Sequence, residues 1–109
     1  PRQARKQWIA GTLVPRGSLV IDAGAERALR GGSSLLPVGV VEVTGDFQPG
    51  DAVLVCGPDG RDLARGLVTC SSAEARRIRG RRSEELAALL GYSGRDEMIH
   101  RDNLALLDN

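Results

Sequence analysis

The chain has 109 residues, 41% hydrophobic and 27% charged, which suits one small globular domain and excludes a multi-lobed enzyme with both a core and a deep substrate cleft. The same composition argues against disorder and against a membrane span. With 15 basic and 14 acidic groups the formal charge is +1, so an electrostatic partner has to be met by a local cluster, not by a global field.

The opening Pro1 to Lys6 reads as the remnant of an interdomain linker in a piece of a longer protein, with residues 7–109 forming the domain proper. Residues 7–14, with Trp8, Ile9, Leu13 and Val14 around Gly11, suit a short bent strand that ends at the turn Pro15-Arg16-Gly17. Asp22 is a helix N-cap, Ala25, Ala28 and Leu29 share a face at i, i+3, i+4, and Gly31-Gly32 stop the helix, which predicts a span of 23–30. Residues 35–44 are predicted as a half-buried strand, with Val41 and Val43 on one face and Glu42 and Thr44 on the other.

A turn at Gln48 to Asp51 leads into residues 52–56 and 61–69, two strands of a hairpin closed by Gly57-Pro58-Asp59-Gly60. Ser71-Ser72-Ala73-Glu74 has the spacing of a capping box and Gly80 a helix stop; a further helix follows Ser83, with Leu86, Leu89 and Leu90 on one face and Gly91 at its end. Ile99 and Leu104 to Leu107 flank a polar turn and return as closing strands. This order predicts an α+β, mainly β domain built on a small antiparallel sheet that is closed or nearly closed.

Only Trp8, Phe47 and Tyr92 are aromatic, so the core is built from aliphatic residues and a multi-aromatic stacking platform for single strands is excluded. Two cysteines, Cys56 and Cys70, and no secretory segment near Pro1 fit a cytoplasmic protein with reduced thiols. The hairpin register sets Cys56 opposite a residue near Asp62, which leaves two buried or half-buried thiols instead of a disulfide.

His100-Arg101-Asp102 has the letters of a kinase catalytic loop, but no Gly-rich phosphate loop, strand Lys or Asp-Phe-Gly accompanies it, and a polar turn is the expected role. Gly31-Gly32-Ser33-Ser34 has no Walker Lys, and one His with two distant Cys completes no zinc site. Asp46, Asp51, Asp59 and Asp62 fall in or near turns, where Asp bonds the local backbone. No catalytic residue and no metal ligand is assigned.

The run from Leu35 to Val55, LLPVGVVEVTGDFQPGDAVLV, resembles the central signature of PUA domains, and Gly60 followed by Ala64-Arg65-Gly66 fits the same family. Lys6 to Gly11, Ser71 to Glu74, and Gly91-Tyr92 with His100 to Leu104 are similar to the C-terminal PUA domain of bacterial glutamate 5-kinases, although Thr69-Cys70 stands where Asn-Tyr is expected. The resemblance implies a PUA-like pseudo β-barrel with short flanking helices. It further implies a non-catalytic accessory or regulatory domain of an enzyme that phosphorylates the γ-carboxylate of glutamate with ATP at the head of proline synthesis. ATP and magnesium are then expected only in an N-terminal amino-acid kinase domain absent from this chain. That domain is the implied first partner, structured RNA the second; the parent is expected to be a homo-oligomer and to have no membrane partner.

In RNA-binding PUA domains the first helix and its glycine-containing entrance contact nucleic acid, and Gly24, Arg27 and Arg30 match that region. A second cluster comes from the residues alone: Arg76, Arg77, Arg79, Arg81 and Arg82 give residues 73–82 a local charge of +4, five minus Glu74. Their guanidinium forks suit phosphate oxygens. Two other roles stay open, a solvated helix salt-bridged to Glu74, Glu84 and Glu85, and a contact with the kinase domain.

Overall fold

The computed structural model describes residues 14–90 and 97–107. Its first strand, β1 (Gly17–Ile21), fills a stretch where the sequence pattern predicts only a turn and a helix cap. Leu19 and Ile21 are fully buried, but five residues give too few repeats for a period-two signal. Of the strand expected over residues 7–14, all but Val14 lies outside the described residues, as do Trp8, Gly91, Tyr92 and the linker assigned to residues 1–6; Val14 is exposed and in no strand.

Helix α1 (Ala23–Arg30) has the predicted span, with the Asp22 carboxylate accepting the Ala25 N–H at 2.8 Å. Its buried anchor is Leu29, while Ala25 is half-buried and Ala28 exposed. The single strand expected over residues 35–44 is instead three pieces. Leu35 makes one bridge to Ile99, Pro37–Gly39 is a 3-10 turn, and β2 runs Val40–Gly45. Pro37 has no N–H to give a ladder and a fixed φ that starts a turn. The predicted face also fails, because Val41 is exposed and Val40 and Val43 are buried. The register slips so that Val20 faces Glu42 and Ile21 faces Val40, leaving Val41 as the extra residue of a bulge.

The hairpin of β3 (Ala52–Cys56) and β4 (Asp62–Leu67) forms as predicted, with Cys56 opposite Asp62, although β4 ends two residues early. β5 (Leu104–Leu106) pairs antiparallel with β4, whereas Ile99 contributes only its bridge and Arg101–Asn103 is a 3-10 turn. The sheet order is β2-β1-β3-β4-β5. It is mixed where an antiparallel sheet was expected, since β1 and β3 pair parallel. Two chain reversals, one on each side of β2, bring β3 back in the direction of β1.

Closure comes from residues 98–99. Leu35 gives its N–H to the Ile99 carbonyl at 2.9 Å, Met98 gives its own to Leu35 at 2.7 Å, and Thr69 donates to Met98 at 3.0 Å. The segment ahead of β2 is thereby joined to the end of β4, and the sheet is a pseudo-barrel of the expected α+β, mainly β class. Leu19, Ile21, Phe47, Val53, Val55 and Ile99 fill its interior.

Helices α2 (Ser72–Ile78) and α3 (Ser83–Leu90) follow β4. Of the apolar face predicted for α3, Leu86 is buried and the side chains of Leu89 and Leu90 lie outside those described. Among the described residues no helix is long and apolar enough to cross a membrane.

Candidate functional site

Residues 36–41 lie between the two helices that carry the candidate arginines. On one side Gly39 packs on α1 so closely that a Cβ there would sit 2.5 Å from Ala25 Cβ. On the other, the Gly80 N–H at the end of α2 donates to the Pro37 carbonyl at 2.7 Å. Leu36, Val38 and Val41 are 41%, 47% and 51% exposed, which makes the segment an apolar ridge. Beside it runs a groove of about 400 Å³, with Gly24, Ala25 and Ala28 of α1 facing Leu36, Val38 and Gly39.

Helix α2 is strapped along β2, one of the two edge strands of the described sheet. Its capping box forms in full, Ser71 Oγ accepting from Glu74 N–H and the Glu74 carboxylate accepting from Ser71 N–H at 3.0 Å. Ser72, a buried polar side chain, accepts the Phe47 N–H at 3.2 Å, and its own N–H donates to the Phe47 carbonyl at 2.9 Å. Arg76 Nη2 then donates to the Gly45 carbonyl and Arg79 Nη1 to the Val41 carbonyl, each at 2.7 Å. These bonds from a charged donor are of the stronger kind. Gly45 supplies the strand's end with φ +94°, and a Cβ on it would lie 2.6 Å from Gly17 Cα, so no other residue fits this close pairing.

The arginine cluster is therefore split by function. Arg76 and Arg79 serve the strand; Arg81 pairs with Glu85 at 3.4 Å, and the Arg82 backbone N–H donates to the same carboxylate. All five, Arg77 and Arg82 included, are exposed. The helix ends at Ile78, so they do not form one helical face. On α1, Arg30 pairs with Glu26 at 3.1 Å while Arg27 and Gly24 are exposed, and the ridge of residues 36–41 keeps this group apart from the second.

The remaining polar candidates have structural work. His100 Nδ1 accepts the Asp102 N–H at 3.1 Å inside the predicted turn. Asp51 and Asp59 bond local backbone N–H groups of Gln48 and Arg61, as expected, whereas Asp46 accepts from Ser72 Oγ and Asp62 faces the Cys56 thiol at 3.8 Å. Burial and then the Asp62 charge push the Cys56 thiol up. Cys70, against Met98 Sδ at 3.4 Å, is raised to about 11 by burial and then by Glu74. Neither is poised as a nucleophilic thiolate.

The ridge and Ser72 are what sequence reasoning missed. Pro37 inside an apolar run was the available signal for the ridge, since Pro interrupts strands. Nothing in the spacing marks Ser72, which stands beside the N-cap serine as an ordinary first-turn residue.

The sequence pattern of the PUA domain family matches residues 17–90. A glutamate 5-kinase of Rhizobium meliloti is 58% identical over 106 residues, 97% of this chain and 27% of that protein. One from Paramagnetospirillum magneticum is 57% identical over 97% of this chain and 29% of its own length. The chain thus spans less than a third of these relatives. Among solved structures, a PUA domain from Aeropyrum pernix in a tartrate complex aligns at TM-score 0.57 and 25% identity, over 92% of this chain and 50% of that one. A PUA domain protein from Thermoplasma acidophilum aligns at TM-score 0.57 and 24% identity, over 77% and 47%.

Proposed function

The chain belongs to the PUA domain family, and on that premise we propose that it is a non-catalytic accessory domain of a glutamate 5-kinase, acting by contact with the amino-acid kinase domain of the same protein. The observation that carries the contact is the exposed ridge of Leu36, Val38 and Val41 beside its groove. Contiguous exposed apolar surface marks an interaction site, and domains within one chain meet over modest interfaces of this kind. On this reading ATP and magnesium belong to the kinase domain, and this domain tunes assembly and regulation.

The test uses the full-length enzyme with Leu36→Ser and Val38→Ser together. The expected result is retained turnover with altered oligomeric state or altered response to effectors, while the isolated domain keeps its unfolding transition. Unchanged assembly and regulation would overturn the contact. Titration of the isolated chain with magnesium-ATP is expected to give no saturable heat; micromolar binding would overturn the accessory role.

A second reading, contact with structured RNA, has one observation in its favour: Arg77, Arg81 and Arg82 are exposed close together in sequence. Three neutralised phosphates would give a slope of log K against log salt of roughly −2 to −3. Fluorescence anisotropy with a labelled hairpin, repeated on Arg77→Glu with Arg82→Glu, decides it. Absence of binding at low salt, or binding that ignores the reversals, removes this reading.

A further inference from the structure

We infer that α2 is a guard on the β2 edge, and that Arg76 and Arg79 are the bolts that keep a second copy of this chain from adding its own β2 to the sheet. The inference is independent of the kinase and RNA readings.

Among the described residues β2 has a strand neighbour, β1, on one side only. An outermost strand presents backbone donors and acceptors that template pairing with another chain, and natural proteins blunt such edges with charges or cover them with a helix or loop. The residues here, Val40-Val41-Glu42-Val43-Thr44, are rich in β-branched side chains, and Val41 is already exposed. Antiparallel self-pairing centred on Val43 would set Val41 against Gly45 and Glu42 against Thr44. No like charges would face each other, so the sequence of the strand offers little resistance of its own.

The resistance comes from α2. Arg76 and Arg79 occupy the carbonyls of Gly45 and Val41, the two acceptors at the ends of the span that an incoming strand would need. Between anchors at Ser72–Phe47 and Gly80–Pro37 the helix is held along the whole strand, so a newcomer must displace both guanidinium groups before its backbone can bond. Arginine suits the task because its planar fork is already charged and rigid, so less freedom is lost per bond than with lysine.

The experiment compares the 109-residue chain with Arg76→Ala/Arg79→Ala and with a charge-matched control, Arg77→Ala/Arg82→Ala. Light scattering across concentration is expected to show the first variant rising toward about twice the mass of the unsubstituted chain, as a two-fold pairing of identical edges requires. The control stays at the mass of the unsubstituted chain. Hydrogen exchange at Val43 and Gly45 in the edge variant is expected to slow as concentration increases, because amides on the side of the Gly45 carbonyl become paired, while those of Glu42 and Thr44, which face β1, are expected to change little. If the double variant loses its unfolding transition, the single variants Arg76→Ala and Arg79→Ala are read in its place, each opening half of the edge and each expected to associate more weakly. Folded edge variants that keep the mass of the unsubstituted chain, or a control that associates equally, overturn the inference.

Discussion

Helix α1, and helix α2 with the residue that caps its end, each carry arginines three positions apart, Arg27 with Arg30 and Arg76 with Arg79, and the two pairs have different fates. On α1 the contact is local, Arg30 reaching Glu26 one turn back. On α2 the contacts are distant, joining Arg76 to a carbonyl 31 residues away and Arg79 to one 38 residues away. The spacing in sequence is the same in both. What differs is the surface across from the helix, an edge strand of the described sheet whose Gly45 and Val41 carbonyls accept the arginines beside α2, and mainly side chains of the 33–39 segment beside α1. An arginine pair is therefore a strap or a solvated charge according to the backbone it meets, and sequence spacing alone does not decide between them.

The contrast is broken most severely at Phe47, the one aromatic among the described core residues, whose backbone anchors the first turn of α2 while its ring fills the barrel. Phe47→Ala is expected to cost about 3–5 kcal/mol in urea unfolding, combining lost burial with a cavity under the strap. A loss below about 1 kcal/mol would mean that the ring is not the support under α2.

Next in size is a pH effect on the α2 side, at Cys70, the more deeply buried of the two raised thiols. Its folded thiol titrates near 11 against an ordinary 9.0, so folding holds the proton more tightly than the unfolded chain does. The stabilisation is complete below pH 9 and is lost as pH rises through 11, with an upper limit of roughly 2–3 kcal/mol at about 1.4 per unit. Urea midpoints measured from pH 8 to 11 are expected to fall, and Cys70→Ala is expected to remove most of the slope. An equal slope in that variant would place the titration elsewhere.

The parts of the fold legible in the sequence are those set by local rules. Asp22 before an amphipathic octet, Ser71 with Glu74, and Gly57 to Gly60 between two apolar runs each fix a few dihedrals and bonds within a handful of residues, and all three form as read. The resemblance carried by residues 35–55 gave the barrel. What escaped depends on distant partners. β1 is a strand because β2 and β3 flank it, not because of five residues of its own, and Val41 turns outward because of a bulge set by register with Val20 and Ile21. The candidate site divides in the same way. Clustering of Arg76 to Arg82 was visible, but the carbonyls that claim two of them belong to a strand thirty or more residues upstream, and the ridge of Leu36, Val38 and Val41 was hidden within an expected strand.

Smaller effects sharpen the α1 side. Asp22→Ala removes the acceptor for the Ala25 N–H and is expected to cost about 1 kcal/mol, as an N-cap does. Because that cap also stands beside the Gly39 contact, loosening there should appear as faster exchange in the first turn of α1, with α2 amides unchanged. Equal acceleration in both helices would show that they unfold together and that the two regions are not separable.

The smallest effect is the most discriminating. Arg30→Ala breaks only the i, i+4 pair with Glu26, in which the arginine side chain is 55% exposed and the carboxylate 27%. Solvent screens such a pair and the long side chain loses freedom in making it, so the expected loss is between zero and about 0.5 kcal/mol and vanishes in half-molar salt. Arg79→Ala has an equally exposed starting point in sequence, but it leaves a strand carbonyl without its donor, and a loss of about 1 kcal/mol that persists in salt is expected because the bond is short and its acceptor is backbone. Urea titrations of the two single variants at low and high salt measure both. If Arg79→Ala proves as small and as salt-sensitive as Arg30→Ala, the two arginine pairs are equivalent solvated charges and the strap adds nothing to stability.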